Sequence, residues 1–182
     1  MYVPPQLDHI LIPAEQIRKR IEVLGDTITR DYTSSEAPLT CVVVLRGSIL
    51  FAADLLRQLA LPVRLVTIRA SSYGAGTSSS GQVTVTPSEP VDFSHSPVLL
   101  IDDILDTGRT LQHLRQWAVE HHADSVKSCI LLDKPSRREI PVKADYVGFT
   151  VPDAFVIGYG LDLNEEFRNL PYIGVLKPEF IP

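Results

Sequence analysis

Three carboxylates follow a strongly apolar run in the middle of the chain. Asp102, Asp103 and Asp106 fall within five positions, directly after the apolar residues 98–101. Carboxylates this close in sequence repel one another, so they are expected to share a partner that relieves the repulsion. A Mg²⁺ ion, the hydroxyls of a sugar or a cationic transition state would each do so. The stretch therefore predicts a site for positive charge.

A small-residue loop, Thr-Gly-Arg-Thr at residues 107–110, comes directly after the carboxylates. Apolar residues then recur at helical spacing from Leu111, so the loop opens a helix. Backbone N–H groups at a helix N-terminus suit a phosphate, Gly108 allows close approach, and two threonine hydroxyls add donors. One short stretch thus offers a phosphate site beside a site for positive charge. A sugar phosphate that carries a metal-bound pyrophosphate fits both.

The elements that position this stretch alternate between apolar strands and amphipathic helices. The pattern predicts helices at residues 13–31, 49–59 and after Gly108, and strands at residues 39–45, 62–70, 82–86, 98–101, 125–132, 146–150, 155–158 and 173–176. This alternation is typical of an α/β protein with a mostly parallel sheet flanked by helices. Ligands bind at the carboxyl ends of such strands, so the turn at Arg46 and Gly47 could face the same ligand as the acidic turn. Taken alone, that turn is an ordinary strand-to-helix connection.

Composition limits the class of protein. The chain has 182 residues, of which 45% are hydrophobic and 21% charged, which predicts a single globular domain over residues 1–182. No apolar run approaches the roughly 20 residues of a membrane span, and no secretory signal is visible, so we expect a cytoplasmic protein without a membrane partner. Cys41 and Cys129 lie in apolar strands and are expected to be buried free thiols.

The charge balance argues against a nucleic-acid partner. The net charge is −5 at pH 7, whereas a nucleic-acid-binding protein normally carries a basic face. The basic clusters at residues 18–20 and 137–138 are short, and we interpret them as solvated faces.

The central stretch resembles the phosphoribosyl-pyrophosphate (PRPP) binding motif of type I phosphoribosyltransferases. That motif is an apolar strand, two acidic residues, two apolar residues and then Asp-Thr-Gly-x-Thr, and residues 98–110 follow it. One alternative is an ordinary strand-turn-helix with a solvated acidic turn. Another is a receiver-type signalling domain, in which an Asp pair follows the first strand. Nearly a hundred residues precede the pair here, and the Thr-Gly-x-Thr loop would have no role in that fold.

The resemblance extends to the hypoxanthine-guanine phosphoribosyltransferase family over nearly the whole chain. Residues 45–48 resemble the family's pyrophosphate loop, in which a non-proline cis peptide precedes a basic residue; Arg46 stands where the family more often has Lys. The resemblance assigns pyrophosphate to Arg46, Gly47 and Arg168. The stretch Ser72, Tyr73 and Gly74 is similar to the catalytic lid.

The same resemblance assigns the purine to residues late in the chain. Lys134 matches the lysine that reads the purine 6-oxo group, Phe155 matches the aromatic that stacks on the base, and the backbone of Val156 reads the purine edge. Asp162 lies in the closing segment, at the metal and beside the purine. The family's first acidic residue is more often Glu, where this chain has Asp102. The implied fold is the type I phosphoribosyltransferase fold, with a small hood formed by terminal segments.

The implied reaction is purine salvage: the 5-phosphoribosyl group moves from PRPP to N9 of hypoxanthine or guanine, with xanthine a further candidate, giving IMP or GMP and pyrophosphate. Mg²⁺ is the implied cofactor, with Asp102, Asp103 and Asp162 as metal ligands. Asp106 is the expected general base, accepting the proton from purine N7. The family is usually dimeric or tetrameric, so a homo-oligomer is expected. The full PRPP-binding set is Asp102, Asp103, Ile104, Leu105, Asp106, Thr107, Gly108, Arg109, Thr110 and Leu111.

Two other functions are compatible with parts of the sequence. A regulatory protein could keep a PRPP-binding fold and act by binding RNA or another protein, but the acidic charge and the complete set of site residues weigh against it. A sibling transferase could use adenine or a pyrimidine. Lys134 argues against adenine, because an ammonium ion is a hydrogen-bond donor and adenine presents an amino group at that position.

Overall fold

A six-stranded sheet forms the centre of the molecule, in a computed structural model that describes residues 2–72 and 83–182. Its strand order is β4-β3-β2-β5-β6-β7, and all neighbours are parallel except β3 and β4. The strands are β2 (Leu39–Leu45), β3 (Val63–Ser72), β4 (Val83–Pro87), β5 (Pro97–Leu105), β6 (Ser125–Asp133) and β7 (Tyr146–Thr150). The predicted mostly parallel sheet is confirmed.

Helices cover both faces of this sheet. The helices are α1 (Ala14–Tyr32), α2 (Ile49–Gln58) and α3 (Arg109–Glu120), with short 3₁₀ turns at Pro135–Arg137 and Pro178–Phe180. α1 and α2 pack on one face, whereas α3 packs on the other through Leu111, Leu114 and Trp117. None of the helices in the described part of the chain is long and apolar enough to cross a membrane.

A second, three-stranded antiparallel sheet joins the two ends of the chain. It has the order β1-β9-β8, with β1 (Leu7–Ile12), β8 (Val156–Ile157) and β9 (Ile173–Leu176). This sheet, which we call the hood, carries its own buried cluster that includes Leu170 and Tyr172. The expected small hood of terminal segments is thus present.

The two cysteines lie in the main sheet. Cys41 and Cys129 are both free and buried, as predicted. Burial raises the pKa of the Cys41 thiol to about 12, so the thiol is neutral at physiological pH.

The order of the strands fixes where a ligand can bind. From β2 the chain crosses to β3 on one side, whereas from β5 it crosses to β6 and β7 on the other. The carboxyl ends of β2 and β5 therefore flank the point where the winding reverses, which is where open α/β sheets bind ligands. The Arg46-Gly47 turn lies there, and so do Asp102 and Asp103; the prediction that these two acids form a turn was wrong, because pairing with β6 continues β5 through them to Leu105.

Candidate active site

A cleft of about 280 Å³ opens between the carboxyl ends of β2 and β5. Gly47 contributes from the turn after β2, and the acidic end of β5 and the loop that follows it contribute from the other side. Every residue of the predicted PRPP-binding set lines this cleft except Arg109. Four apolar residues that were not predicted complete the wall: Val44, Leu45, Ala70 and Ile130.

The loop before α3 is shaped by one glycine and by the segment after β6. Gly108 has a φ of +90°, and a Cβ built there would come within 2.7 Å of Val142 Cγ1. The carbonyl oxygen of Thr107 accepts hydrogen bonds from the backbone N–H groups of Glu139 (2.9 Å) and Ile140 (3.0 Å). The guanidinium of Arg109 turns to the Glu139 carboxylate, 2.8 Å from Nε, so Arg109 presents only its backbone to the loop.

Asp102 and Asp103 form a pair of carboxylates at the floor of the cleft. The Asp103 backbone N–H donates to Asp102 Oδ1 at 2.9 Å. Burial by the surrounding protein raises the pKa of both carboxyls, and repulsion from Asp103 adds to the rise at Asp102. A positive charge placed here would relieve this cost.

The neighbouring loop leaves room for that pair. A Cβ built on Gly47 would overlap the carboxylate of Asp103, so a side chain at this position would displace the acid. The peptide bond between Leu45 and Arg46 is cis and is not followed by proline, as the family resemblance implied.

The donor chemistry of the acidic pair suits Mg²⁺, which prefers oxygen ligands and is usually held by one or two carboxylates together with substrate phosphates. Within residues 2–72 and 83–182, no three His, Cys, Asp or Glu side chains lie close enough to hold a metal by themselves. Asp102, Asp103 and Asp162 are therefore not a preformed cage. The residues present fit a Mg²⁺ ion that also takes ligands from a bound substrate.

Asp106 lies at the mouth of the cleft, half-exposed, beside a basic residue from another loop. Arg137 Nε lies 3.2 Å from Asp106 Oδ1, and Arg137 Nη1 lies 3.8 Å from Asp153 Oδ2. Arg138 is mostly buried and pairs with Asp133. The interpretation of residues 137–138 as a solvated face was wrong for Arg138, whose guanidinium is mostly buried against Asp133, whereas Arg137 is exposed and still contacts two carboxylates.

The closing segment, residues 158–168, packs against the turn after β2. Gly160 has a φ of +103°, and a Cβ built on it would overlap the carbonyl oxygen of Gly47. Arg168 donates to the Gly160 carbonyl oxygen at 2.8 Å and pairs with Asp162 Oδ1 at 2.8 Å. The backbones of two segments that lie far apart in sequence thus meet beside the acidic pair.

Of the residues predicted to bind the purine, Lys134, Phe155 and Val156 lie one strand further along the sheet, whereas Asp162 pairs with Arg168 in the closing segment. Lys134, directly after β6, is only 8% exposed, and its Nζ donates to the Ala154 carbonyl oxygen at 2.6 Å. Ala154 precedes Phe155, which is half-buried against the hood cluster, and Val156, which is buried in β8. These side chains do not line the 280 Å³ cleft itself.

Comparisons with known proteins agree with this geometry. A family model of the phosphoribosyl transferase domain matches residues 14–164. Hypoxanthine-guanine phosphoribosyltransferase of Bacillus subtilis is 44% identical over 172 residues, covering 94% of each chain. Hypoxanthine phosphoribosyltransferase of Salmonella typhimurium is 41% identical over 165 residues, which are 91% of this chain and 93% of that one.

The chain belongs to the phosphoribosyltransferase family. A mutant hypoxanthine phosphoribosyltransferase of Trypanosoma cruzi, solved as a ternary substrates complex, superposes with a TM-score of 0.91 at 40% identity, covering 97% of this chain and 99% of that one. The type I phosphoribosyltransferase fold predicted from the sequence is confirmed.

The site of this phosphoribosyltransferase differs from the sequence prediction at the lid and at two charged residues. Of the predicted lid, Tyr73 and Gly74 lie outside the described residues, and Ser72 is the last residue of β3. Arg137 and Glu165 were not predicted as site residues, although Arg137 contacts Asp106 and Glu165 contacts both Arg46 and Arg168. Nothing in the local sequence indicates either contact.

Proposed function

We propose that this protein transfers the 5-phosphoribosyl group from PRPP to N9 of hypoxanthine, giving IMP and pyrophosphate in purine salvage, and that guanine and xanthine are further substrates. One observation carries the proposal. A partly buried pair of carboxylates and a phosphate-type loop at a helix N-terminus share a single cleft, and the Gly47 turn meets them there. The relatives named above support hypoxanthine as the acceptor.

The chemistry follows from the charges that develop in the reaction. Breaking the bond between C1 of the ribose and pyrophosphate puts positive charge on the sugar ring, as in glycoside hydrolysis. Asp102 and Asp103 would hold the ribose hydroxyls and stabilise that charge. Residues 106–111 would bind the 5′-phosphate, and Arg46 and Arg168 would stabilise the departing pyrophosphate.

The acceptor base needs a group that takes its proton. Asp106 is the proposed general base for purine N7 as N9 attacks. Lys134 would donate to the 6-oxo group, with Phe155 stacking on the ring and the backbone of Val156 reading the purine edge. The proposed lid, Ser72, Tyr73 and Gly74, would exclude water that could otherwise capture the ribosyl cation.

Mg²⁺ is the proposed cofactor. Asp102 and Asp103 would hold it with oxygen atoms of PRPP, and Asp162 is a further proposed ligand from the closing segment. When bound, the ion neutralises charge on the leaving pyrophosphate. We also propose a cytoplasmic homo-oligomer, a dimer or a tetramer.

The test is nucleotide formation from PRPP and Mg²⁺ with each of hypoxanthine, guanine, xanthine and adenine. We expect product from the 6-oxopurines and none from adenine, because the Lys134 ammonium can only donate a hydrogen bond. The products are measured by chromatography, with a reaction lacking PRPP as the control. If PRPP binds and no base reacts, the proposed activity is wrong and a regulatory role replaces it.

A further inference from the structure

One carboxylate contacts both of the guanidiniums assigned to pyrophosphate. Glu165 Oε1 lies 2.6 Å from Arg46 Nη2, and Glu165 Oε2 lies 3.1 Å from Arg168 Nη2. The two arginines come from the turn after β2 and from the closing segment. Glu165 therefore bridges the two cations that the pyrophosphate group would need, and Arg168 also pairs with Asp162 Oδ1 at 2.8 Å.

The turn that carries Glu165 is fixed by its own hydrogen bonds. The backbone N–H of Glu165 donates to Asp162 Oδ2 at 2.9 Å. Leu163 and Glu166 exchange backbone hydrogen bonds of 3.2 and 3.0 Å across the turn. Glu165 is thus presented to the two arginines by a short, closed loop, and its position does not depend on the ion pairs alone.

The ion pair to Arg46 is easy to exchange. The side chains of Arg46 and Glu165 are 61% and 58% exposed, and exposed ion pairs contribute little to stability. Pyrophosphate carries more negative charge than one carboxylate, and arginine pairs well with phosphate oxygens. An incoming pyrophosphate group can therefore displace the exposed Glu165 carboxylate from both guanidiniums at the cost of two contacts, and the pair between Arg168 and Asp162 need not break.

We propose that Glu165 is the internal competitor of pyrophosphate: it occupies Arg46 and Arg168 in the free enzyme, lowers the affinity for PRPP and pyrophosphate, and takes the arginines back as pyrophosphate leaves. The inference rests on the proposed function, since it assumes that these arginines bind pyrophosphate. It assigns Glu165 a role in setting affinity and gives it no part in bond breaking.

The test compares two neighbouring substitutions that change the net charge equally. Glu165→Gln keeps the size of the side chain and removes its charge. Glu166→Gln is the control, because Glu166 is exposed and makes no ion pair with any residue that the structure describes. Inorganic pyrophosphate is titrated into each protein by calorimetry at fixed Mg²⁺ and low salt, and KM values for PRPP and hypoxanthine are measured alongside.

We expect Glu165→Gln to bind pyrophosphate about two- to fivefold more tightly and to lower the KM for PRPP similarly, as suits the loss of an exposed competing ion pair. The KM for hypoxanthine should not change in Glu165→Gln. Glu166→Gln should bind pyrophosphate and PRPP as the wild-type protein does. The increase in pyrophosphate affinity in Glu165→Gln should become smaller at high salt.

Weaker pyrophosphate binding in Glu165→Gln would overturn the inference, because Glu165 would then be orienting the arginines. An equal gain in both variants, or no change in either, would overturn it as well. If the wild-type protein makes nucleotide and Glu165→Gln has no effect on pyrophosphate binding, the inference about Glu165 fails and the proposed function is retained. If the wild-type protein binds no pyrophosphate and makes no nucleotide, both the inference about Glu165 and the proposed function are wrong.

Discussion

Asp106 and Lys134 each follow a strand of the same sheet, yet their surroundings differ. Asp106 is half-exposed at the mouth of the cleft and touches Arg137, whereas Lys134 is buried and donates to one backbone carbonyl. Burying an ammonium group costs free energy unless hydrogen bonds compensate. A lysine held this way, with one carbonyl partner, supports the proposal that a purine oxygen is its second acceptor.

Asp106→Asn should lower turnover about 100-fold or more, because the amide cannot accept the N7 proton and general-base catalysis contributes typically 10²–10⁴-fold. PRPP should still bind, since the loop backbone is unchanged. Turnover is measured by steady-state kinetics with hypoxanthine, and PRPP binding is measured by calorimetric titration.

Asp153→Asn is the matched control for that variant. Asp153 is the other carboxylate beside Arg137, at 3.8 Å, so its loss disturbs the same guanidinium without touching the proposed base. We expect little change in turnover. Near-normal turnover in Asp106→Asn would exclude Asp106 as the base, and an equal loss in both variants would point to Arg137 instead.

The sequence predicted those site residues that are neighbours in the chain and missed contacts between residues that are far apart in it. The acidic pair and the phosphate-type loop are contiguous, so their types and spacing were readable. Asp106 and Arg137 are 31 positions apart, and Arg46 and Glu165 are 119 apart. Such contacts exist only once the fold has brought the segments together, so neither Arg137 nor Glu165 was predicted.

At the level of helices and strands, the sequence again predicted local features and missed a pairing between distant segments. The predicted strands at residues 39–45, 146–150 and 173–176 agree with β2, β7 and β9, because each is a short apolar run with clear ends. β1 was missed. Its sequence, Leu7–Ile12, has Asp8 and His9 near its start, and its partner β9 lies at the other end of the chain with an irregular register. Local pattern does not reveal that pairing.

The end of α1 is tied to β6 and β7 by a polar cluster that carries a pH dependence. Tyr146 donates to Asp31 Oδ2 at 2.6 Å, and Lys127 Nζ lies 3.3 Å from the same oxygen and 5.4 Å from the centre of the Tyr32 ring. The Tyr146 hydrogen bond lowers the pKa of the Asp31 carboxyl, with help from Lys127 and Arg30 and against the opposing effect of burial.

Because the folded pKa of Asp31 lies below its unfolded value near 4, its stabilisation is present above about pH 4 and is lost as the pH falls below it. Asp31→Asn should therefore lower the melting temperature at pH 7 by about 1–3 °C, a small effect for a partly exposed group, and the difference from wild type should narrow toward pH 3. Calorimetry across this pH range measures it.

Asp26→Asn serves as the control on the same helix, because Asp26, unlike Asp31, makes no side-chain hydrogen bond or ion pair with any residue that the structure describes. Its melting temperature should follow that of wild type at every pH. A constant difference between Asp31→Asn and wild type from pH 7 to pH 3 would contradict the assignment of the stabilisation to the ionised carboxyl.

Over the whole molecule, the hood and the main sheet share one core. Ile12, Val156 and Ile173 of the hood belong to the same buried cluster as residues of α1, α2, β2, β5 and β6. A second cluster, with Leu170 and Tyr172, lies within the hood itself. A shared cluster couples the two sheets, which supports the prediction that the chain behaves as a single domain.

Leu170→Ala tests that coupling, because Leu170 is 2% exposed within the hood cluster, whereas Trp117, the one tryptophan of the chain, belongs to α3 on the other face of the main sheet. Truncating a buried leucine costs about 2–5 kcal/mol, which for a chain of this size lowers the melting temperature by about 5–15 °C. If the domain is one cooperative unit, the melting transitions followed by Trp117 fluorescence and by circular dichroism should shift together by this amount.

Val23→Ala is the control, because the Val23 side chain is 51% exposed, and it should shift neither transition. A Trp117 midpoint unchanged in Leu170→Ala, with a separate earlier transition, would show that the hood unfolds by itself.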